Sequence, residues 1–152
     1  MKSTPQNFIL FFDSSSFDWL HFSLVDLASN KVAQKKVRMH HFESEKTLPA
    51  LLNFLKKNKI FLAKPNQSRS IAKIYFVSGP GSFSGIRVGA AIALAFGFAK
   101  NIPVFALKKN QVPKNLANLI SSKAKKISAN PELDYGSSPK ITREKKKNLR
   151  NT

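Results

Sequence analysis

Residues whose type and spacing bear on chemistry concentrate in one segment, Ser78-Gly79-Pro80-Gly81-Ser82-Phe83-Ser84-Gly85-Ile86-Arg87-Val88-Gly89. Glycines between a buried strand and a helix permit positive φ and close backbone approach, and unpaired N–H groups at a helix start can face an anion. A phosphate or a partner carboxylate suits such a turn, with Gly79, Gly81, Ser82 and Arg87 around it. Three familiar loops do not match. A Walker A loop needs Lys and then Ser or Thr after its last glycine, where Ile86-Arg87 stands. A dinucleotide fingerprint spaces its glycines G-x-G-x-x-G and places an acid about twenty residues on. Here Gly79, Gly81 and Gly85 have one residue too many, and Lys100-Asn101 replaces the acid. A nucleophile elbow needs a glycine two residues either side of its serine, which neither Ser82 nor Ser84 has. A tight strand-to-helix turn with no ligand stays open as the alternative.

Asp13, followed by Ser14-Ser15-Ser16, is a place where a carboxylate and hydroxyls can meet a phosphate or its metal. An acid capping a turn is the commoner arrangement. His21, His40 and His41 have no third ligand at metal-site spacing and no Cys or Asp partner that would make a nucleophile, so they receive no role. The chain has no cysteine, which excludes disulfides and thiolate zinc and fits a reducing compartment.

The elements that must position these residues follow from period and punctuation. Phe8 to Phe12 is an unbroken apolar run, as in a strand covered on both faces. Trp19 to Asp26 alternates, and Lys31 to Arg38 reads as a polar edge strand whose lysines discourage stray pairing. Leu48, Leu51, Leu52 and Leu55 define one helical stripe, with Ser44 as its N-cap. Pro49 requires that helix to begin near it or to bend in its first turn. Ala72 to Val77 is a second buried strand, Ile86 to Lys100 a helix without a polar stripe, and Val104 to Leu107 a last strand, so the unit closes as a right-handed βαβ crossover. Asn115 to Ile120 holds one helical turn or two. Beyond it Pro131, Pro139 and the lysines leave too little apolar content for a second core, and residues 111–152 are expected to be disordered or ordered by a partner.

Composition supports one domain. The 152 residues are 42% hydrophobic with 13 Phe, enough for an aromatic core. No export signal is read at the N-terminus, since the run from Phe8 is short and meets Asp13, and Ser78 to Ser82 interrupts the stretch from Ile74 to Ala99 that would otherwise suit a membrane span. The net charge of +18 invites a nucleic-acid reading, and from Lys108 onward twelve Lys/Arg face only three acids. Lys145-Lys146-Lys147 also suits a merely solvated run. Within the second helix, Gly85, Gly89, Ala93 and Gly97 recur every four residues. Helix glycines cost roughly 0.5–1 kcal/mol each against alanine, so such a ridge implies close contact with something, either its own sheet or a partner's helices.

The order of these elements, with the Asp-Ser-Ser strand end, Glu43-Ser44-Glu45 before the first helix and the block from Val77 to Gly89, resembles the TsaB (YeaZ) family of tRNA threonylcarbamoyladenosine biosynthesis proteins. The family's G-P-G-S-F-T-G-L-R-I-G block is matched position by position with conservative changes, and the likeness covers residues 8–110. It implies an α/β lobe of the actin-like ATPase (ASKHA, ribonuclease H-like) fold, a mixed five-stranded sheet with two main helices over residues 1–110, with the basic tail 111–152 in place of the family's second lobe. By the same resemblance the chain is a cytoplasmic, non-catalytic scaffold of the t6A modification complex, with no membrane contact. It binds a TsaD-like threonylcarbamoyltransferase or pairs as a homodimer, is joined by a TsaE-like ATPase and reaches tRNA indirectly. The residues carried over are Leu48, Leu52, Gly85, Gly89 and Ala93 for the interface, and Asp13, Gly79, Gly81, Ser82 and Arg87 for an anion-binding turn. No catalytic residue, metal or resident cofactor is implied, ATP or ADP at the partner interface being the nucleotide it allows. The alternatives are a small basic RNA-binding module that presents tRNA through residues 108–152, or a degenerate relic of the family. A peptidase, a label the wider family attracts, lacks metal ligands and a nucleophile arrangement here.

Overall fold

Strand β1 (Gln6–Asp13) is apolar on both sides because both sides are covered: Phe8, Leu10 and Phe12 enter one core while Ile9 and Phe11 enter another. The computed structural model of the chain describes residues 6–39, 44–61, 68–121, 126–127 and 131–135. β1 pairs antiparallel with β2 (Trp19–Asp26), which pairs antiparallel with β3 (Val32–Arg38). Helix α1 (Ser44–Lys57) crosses to β4 (Arg69–Gly79), parallel to β1, and α2 (Phe83–Lys100) crosses to β5 (Val104–Lys108), parallel to β4. The five expected strands are present. A two-residue strand, β6 (Lys126–Ile127), adds a sixth along β5, giving the order β3-β2-β1-β4-β5-β6.

Both helices belong to one face of the sheet. Leu51, Phe54 and Leu55 of α1 and Ala90 and Ala93 of α2 meet Leu10, Phe12, Phe22, Leu24 and Phe76 in the main core, where the Phe22 and Phe54 rings stack at 5.9 Å. The expected leucine stripe of α1 divides: Leu51 and Leu55 are buried, whereas Leu48 and Leu52 remain 42% and 43% exposed. Phe54 takes the inward place that the leucine spacing seemed to give to Leu52. Pro49 lies inside the helix, whose described part begins at Ser44 itself, and the hydrogen bond its ring forbids is missing near an exposed helix start. α2 starts three residues before Ile86, with Ser82 as N-cap accepting from the Gly85 N–H, and stops at Asn101 in the left-handed conformation (φ 53°). It is long and apolar enough by length and composition to cross a membrane, but its buried residues, Gly85 to Gly97, pack on the sheet as those of a core helix.

The second face carries Ile9, Phe11, Val25, Tyr75, Val77 and Leu107, and it is covered by chain beyond the expected lobe boundary at residue 110. Leu116 and Leu119, on the short 3₁₀ turn Leu116–Ser121, are buried there, and the Tyr75 hydroxyl donates to the Leu119 carbonyl at 3.4 Å. The apolar side chains of β4 on this face need a cover, and residues 112–120 supply it: the helical turn expected over Asn115 to Ile120 packs on the lobe rather than standing apart from it in a tail that begins at residue 111. Residues 131–135 return to the main core through Leu133. The Asp134 N–H donates to the Ser78 carbonyl at 2.8 Å, and the Tyr135 ring lies 4.6 Å from that of Phe83. Residues 136–152, with the lysine run, and His40, His41 and Glu43 lie outside the described residues.

The division of the α1 stripe is testable. Leu51→Ala should lower unfolding stability by about 2–5 kcal/mol and Leu52→Ala by less than about 0.5 kcal/mol, measured by denaturant titration. Equal costs would put both leucines in the core.

Candidate functional site

The end of β1 and the start of α2 meet backbone to backbone. Ser14 points toward α2, where its hydroxyl donates to the Gly85 carbonyl at 2.7 Å, and the Ser82 N–H donates to the Ser15 carbonyl at 2.7 Å. A Cβ added at Gly81 would overlap the Ser15 carbonyl oxygen, one at Gly85 the Ser14 carbonyl oxygen, and one at Gly89 the Ser14 hydroxyl. At Gly97 it would strike Val104. Gly79, at φ 121°, is followed by a cis peptide bond to Pro80 and faces the Asp134 carbonyl.

This geometry decides between the two readings of the glycine block. Gly85, Gly89 and Ala93, expected at a partner interface, are buried against β1 and the sheet, so that expectation is corrected: the ridge is small because its own chain fills the space. The anion-binding expectation meets the same obstacle. The Ser82 N–H is bonded to Ser15, the Gly85 N–H to the Ser82 hydroxyl at 3.2 Å, and the space beside Gly81 holds Ser15. Arg87 lays its guanidinium 4.9 Å from the Phe83 ring centroid. Asp13 accepts from the Ser15 N–H at 2.8 Å and the Ser15 hydroxyl at 2.5 Å, as an acid capping a turn does. The turn therefore offers an ATP or ADP phosphate no free donors at Ser82 or Gly85.

The interface residues that remain on the surface are Leu48 and Leu52, and α2 adds others that the sequence reading missed. Ala91, Ala95 and Phe98 share one face at four- and three-residue spacing, and all are exposed, Phe98 at 93%. The signal was α2's lack of a polar stripe: a helix apolar all round has a second face to cover.

A second overlooked group lies on the opposite side of the sheet. Asp13, His21 and Lys36 are register partners across β1, β2 and β3, and cross-strand partners share a face. With Ser16 and Trp19 they line an open cavity of 470 Å³. Only pairing register, which sequence spacing does not show, brings them together.

A family model described as TsaD, tRNA N6-adenosine threonylcarbamoyltransferase, matches residues 40–118. The chain belongs to the TsaD family. Its fold is that of YeaZ from Pseudomonas aeruginosa, with a TM-score of 0.58 at 21% identity over 70% of this chain and 46% of that one. A second structure from that organism, of an uncharacterized protein with similarity to peptidase YEAZ, also superposes with a TM-score of 0.58 at 21% identity, over 70% of this chain and 45% of that one. The lobe is thus of the actin-like, ribonuclease H-like class. A curated relative, the uncharacterized protein MG208 homolog of Mycoplasma pneumoniae (strain ATCC 29342 / M129 / Subtype 1), is 32% identical over 130 residues, which are 83% of this chain and 60% of the relative. This TsaD-family chain therefore spans 60% of that relative's length and less than half of each matched structure.

The seat of Ser14 on α2 predicts a coupled pair. Gly89→Ala should cost about 1–3 kcal/mol as the new methyl displaces the Ser14 hydroxyl. Ser14→Ala should cost about 0.5–1.5 kcal/mol for the lost bond to Gly85. The double variant should be less destabilised than the sum, because the added Cβ lies 3.5 Å from the Ser14 Cβ, an ordinary contact. Strict additivity in chemical denaturation would contradict the seat.

Proposed function

We propose that the chain is a non-catalytic scaffold subunit in tRNA threonylcarbamoyladenosine formation, docking a TsaD-type transferase on the outer face of α1 and α2. The observation that carries this is the outward side of α2. Its inward ridge is filled by β1 and β5, yet Ala91, Ala95 and Phe98 continue an apolar surface into solvent beside a second helix that exposes Leu48 and Leu52. Apolar groups gathered on neighbouring helices mark a protein contact. At 1.5 Å per residue the 18 residues of α2 extend about 27 Å, long enough to receive a partner helix along its length. Small residues at 91 and 95 admit a close approach, and Phe98 is the aromatic anchor.

Membership in the TsaD family and the YeaZ fold support the place in tRNA modification. On this reading the protein works in the cytoplasm, a TsaE-like ATPase joins through the transferase, and tRNA is met within the complex.

Co-expression with the TsaD-type transferase of the same organism, followed by size-exclusion chromatography, should yield a complex. Phe98→Asp and Leu52→Asp should each weaken it by roughly tenfold or more while leaving circular dichroism unchanged. A folded chain that elutes alone, or that pairs only with itself, overturns the assignment. So does a complex that both variants retain.

A further inference from the structure

Among the described residues, the face of β1, β2 and β3 turned away from the helices is only partly covered, by residues 112–120, and the part left open mixes charged and polar groups with apolar ones. Row by row from the open end it presents Trp19 beside Arg38, then Asp13, His21 and Lys36; in the next row Phe11 and Ser23 are buried and only Gln34 is exposed. The Arg38 guanidinium stands 5.9 Å from the Trp19 ring centroid. His21 is fixed from behind, its Nε2 lying 3.0 Å from Gln34 Oε1 and 3.2 Å from the Ser23 hydroxyl, with the Phe11 ring edge-on at 5.8 Å. The 470 Å³ cavity over these residues shares His21 with a neighbouring hollow of 340 Å³, where Lys114 and Asn115 face Gln34. Together they form a groove with a 45% exposed indole, cations at Lys36 and Lys114 and one carboxylate, with Arg38 at its margin over the indole.

That combination selects its ligand. A bare phosphate or sulfated sugar calls for cations without an acid, and Asp13 in the lining opposes it. A lipid surface would need a continuous apolar rim, whereas Val32, Val112, Pro113 and Leu116 alternate with Gln34, Lys114 and Asn115. An unpaired nucleobase suits every group: the indole offers a stacking surface, Arg38 and Lys36 meet the flanking phosphates, and Asp13 can accept from an exocyclic amino group. Asp13 Oδ1 already serves Ser15, which leaves its other oxygen for that role. Ser16, Gln34 and Asn115 add hydroxyl and amide groups along the groove, the partners that a 2′-hydroxyl takes. A net charge of +18 draws a polyanion to the surface. We infer that this groove binds a single-stranded segment of RNA, one base stacked on Trp19 and its phosphates held by Lys36 and Arg38. The site is independent of the proposed docking face, since the two lie on opposite sides of the sheet.

Trp19 is the chain's one tryptophan, so intrinsic fluorescence reports on the site directly. Titrating the full-length chain alone with a short unstructured RNA oligonucleotide should quench that fluorescence to saturation. In anisotropy measurements on labelled RNA, Trp19→Leu should weaken binding roughly tenfold and Trp19→Phe should restore most of it. Lys36→Ala with Arg38→Ala should reduce the slope of log affinity against log salt by about 1–2. Duplex RNA, single-stranded DNA and heparin should compete poorly. Absent binding, unchanged fluorescence on binding, an unchanged affinity in Trp19→Leu, an unchanged salt slope or equal competition by any of those three would overturn the proposal. The chain is tested without the transferase, so failure here leaves the docking result standing, and failure there leaves this one.

Discussion

Much of the lobe depends on one contact, the seating of Ser14 and Ser15 against the glycine side of α2. Two backbones come together at the Ser15 carbonyl and the Ser82 N–H, and again where the Ser14 hydroxyl meets the Gly85 carbonyl. That closeness is available only where positions 81, 85 and 89 carry no side chain. The contact joins the end of β1 to the start of α2, and because α2 leads into β5, it fixes the parallel β1-β4-β5 part of the sheet from outside the ladder. Glycine's entropic cost in a helix is offset by burial that no larger residue could achieve at these positions.

A consequence follows for the opposite side of the helix. Apart from Ile86, the fully buried positions of α2 are Gly and Ala. The helix is nonetheless apolar outside as well, with Phe98 almost fully in solvent. The lobe alone does not need that residue. An aromatic side chain this exposed beside Ala91 and Ala95 adds nothing to the lobe's own packing, and such a face is of the kind that another surface covers.

What could be read from the sequence, and what could not, separates along local and non-local lines. The five main strands were legible because Phe8 to Phe12, the alternation from Trp19 and the β-rich run before Ser78 each carry their own period. The glycine block announced a tight turn, but not its direction. An amphipathic helix declares its inner face by contrast, whereas in α2 both sides are apolar and only the folded lobe shows that Gly85, Gly89 and Ala93 lie inward. The α1 leucines misled for a related reason, since Phe54 competes for the same stripe and displaces Leu52 outward. The turn holding Leu116 and Leu119 was legible, but not its place, because two leucines in a basic, polar stretch do not show that the apolar face of β4 and β5 requires them as a cover. The row of Asp13, His21 and Lys36 depends entirely on strand register. A shift of one residue in β2 would have turned His21 to the helix side.

The two uncovered surfaces are different in kind, and the sheet keeps them apart. The helical side is apolar and shaped by small residues, suited to a partner that excludes water. The open side of β1 to β3 is polar, cationic and marked by a single indole, suited to a ligand that stays hydrated along its backbone. A bare edge strand would threaten the second surface by inviting other strands to pair, but β3 carries Lys35, Lys36 and Arg38 and is thereby protected. Lys36, one of the residues that suppress edge pairing, also supplies charge to the groove. One short strand therefore serves both the solubility of the lobe and the chemistry of its exposed face, and neither demand conflicts with a protein bound to α1 and α2 on the far side.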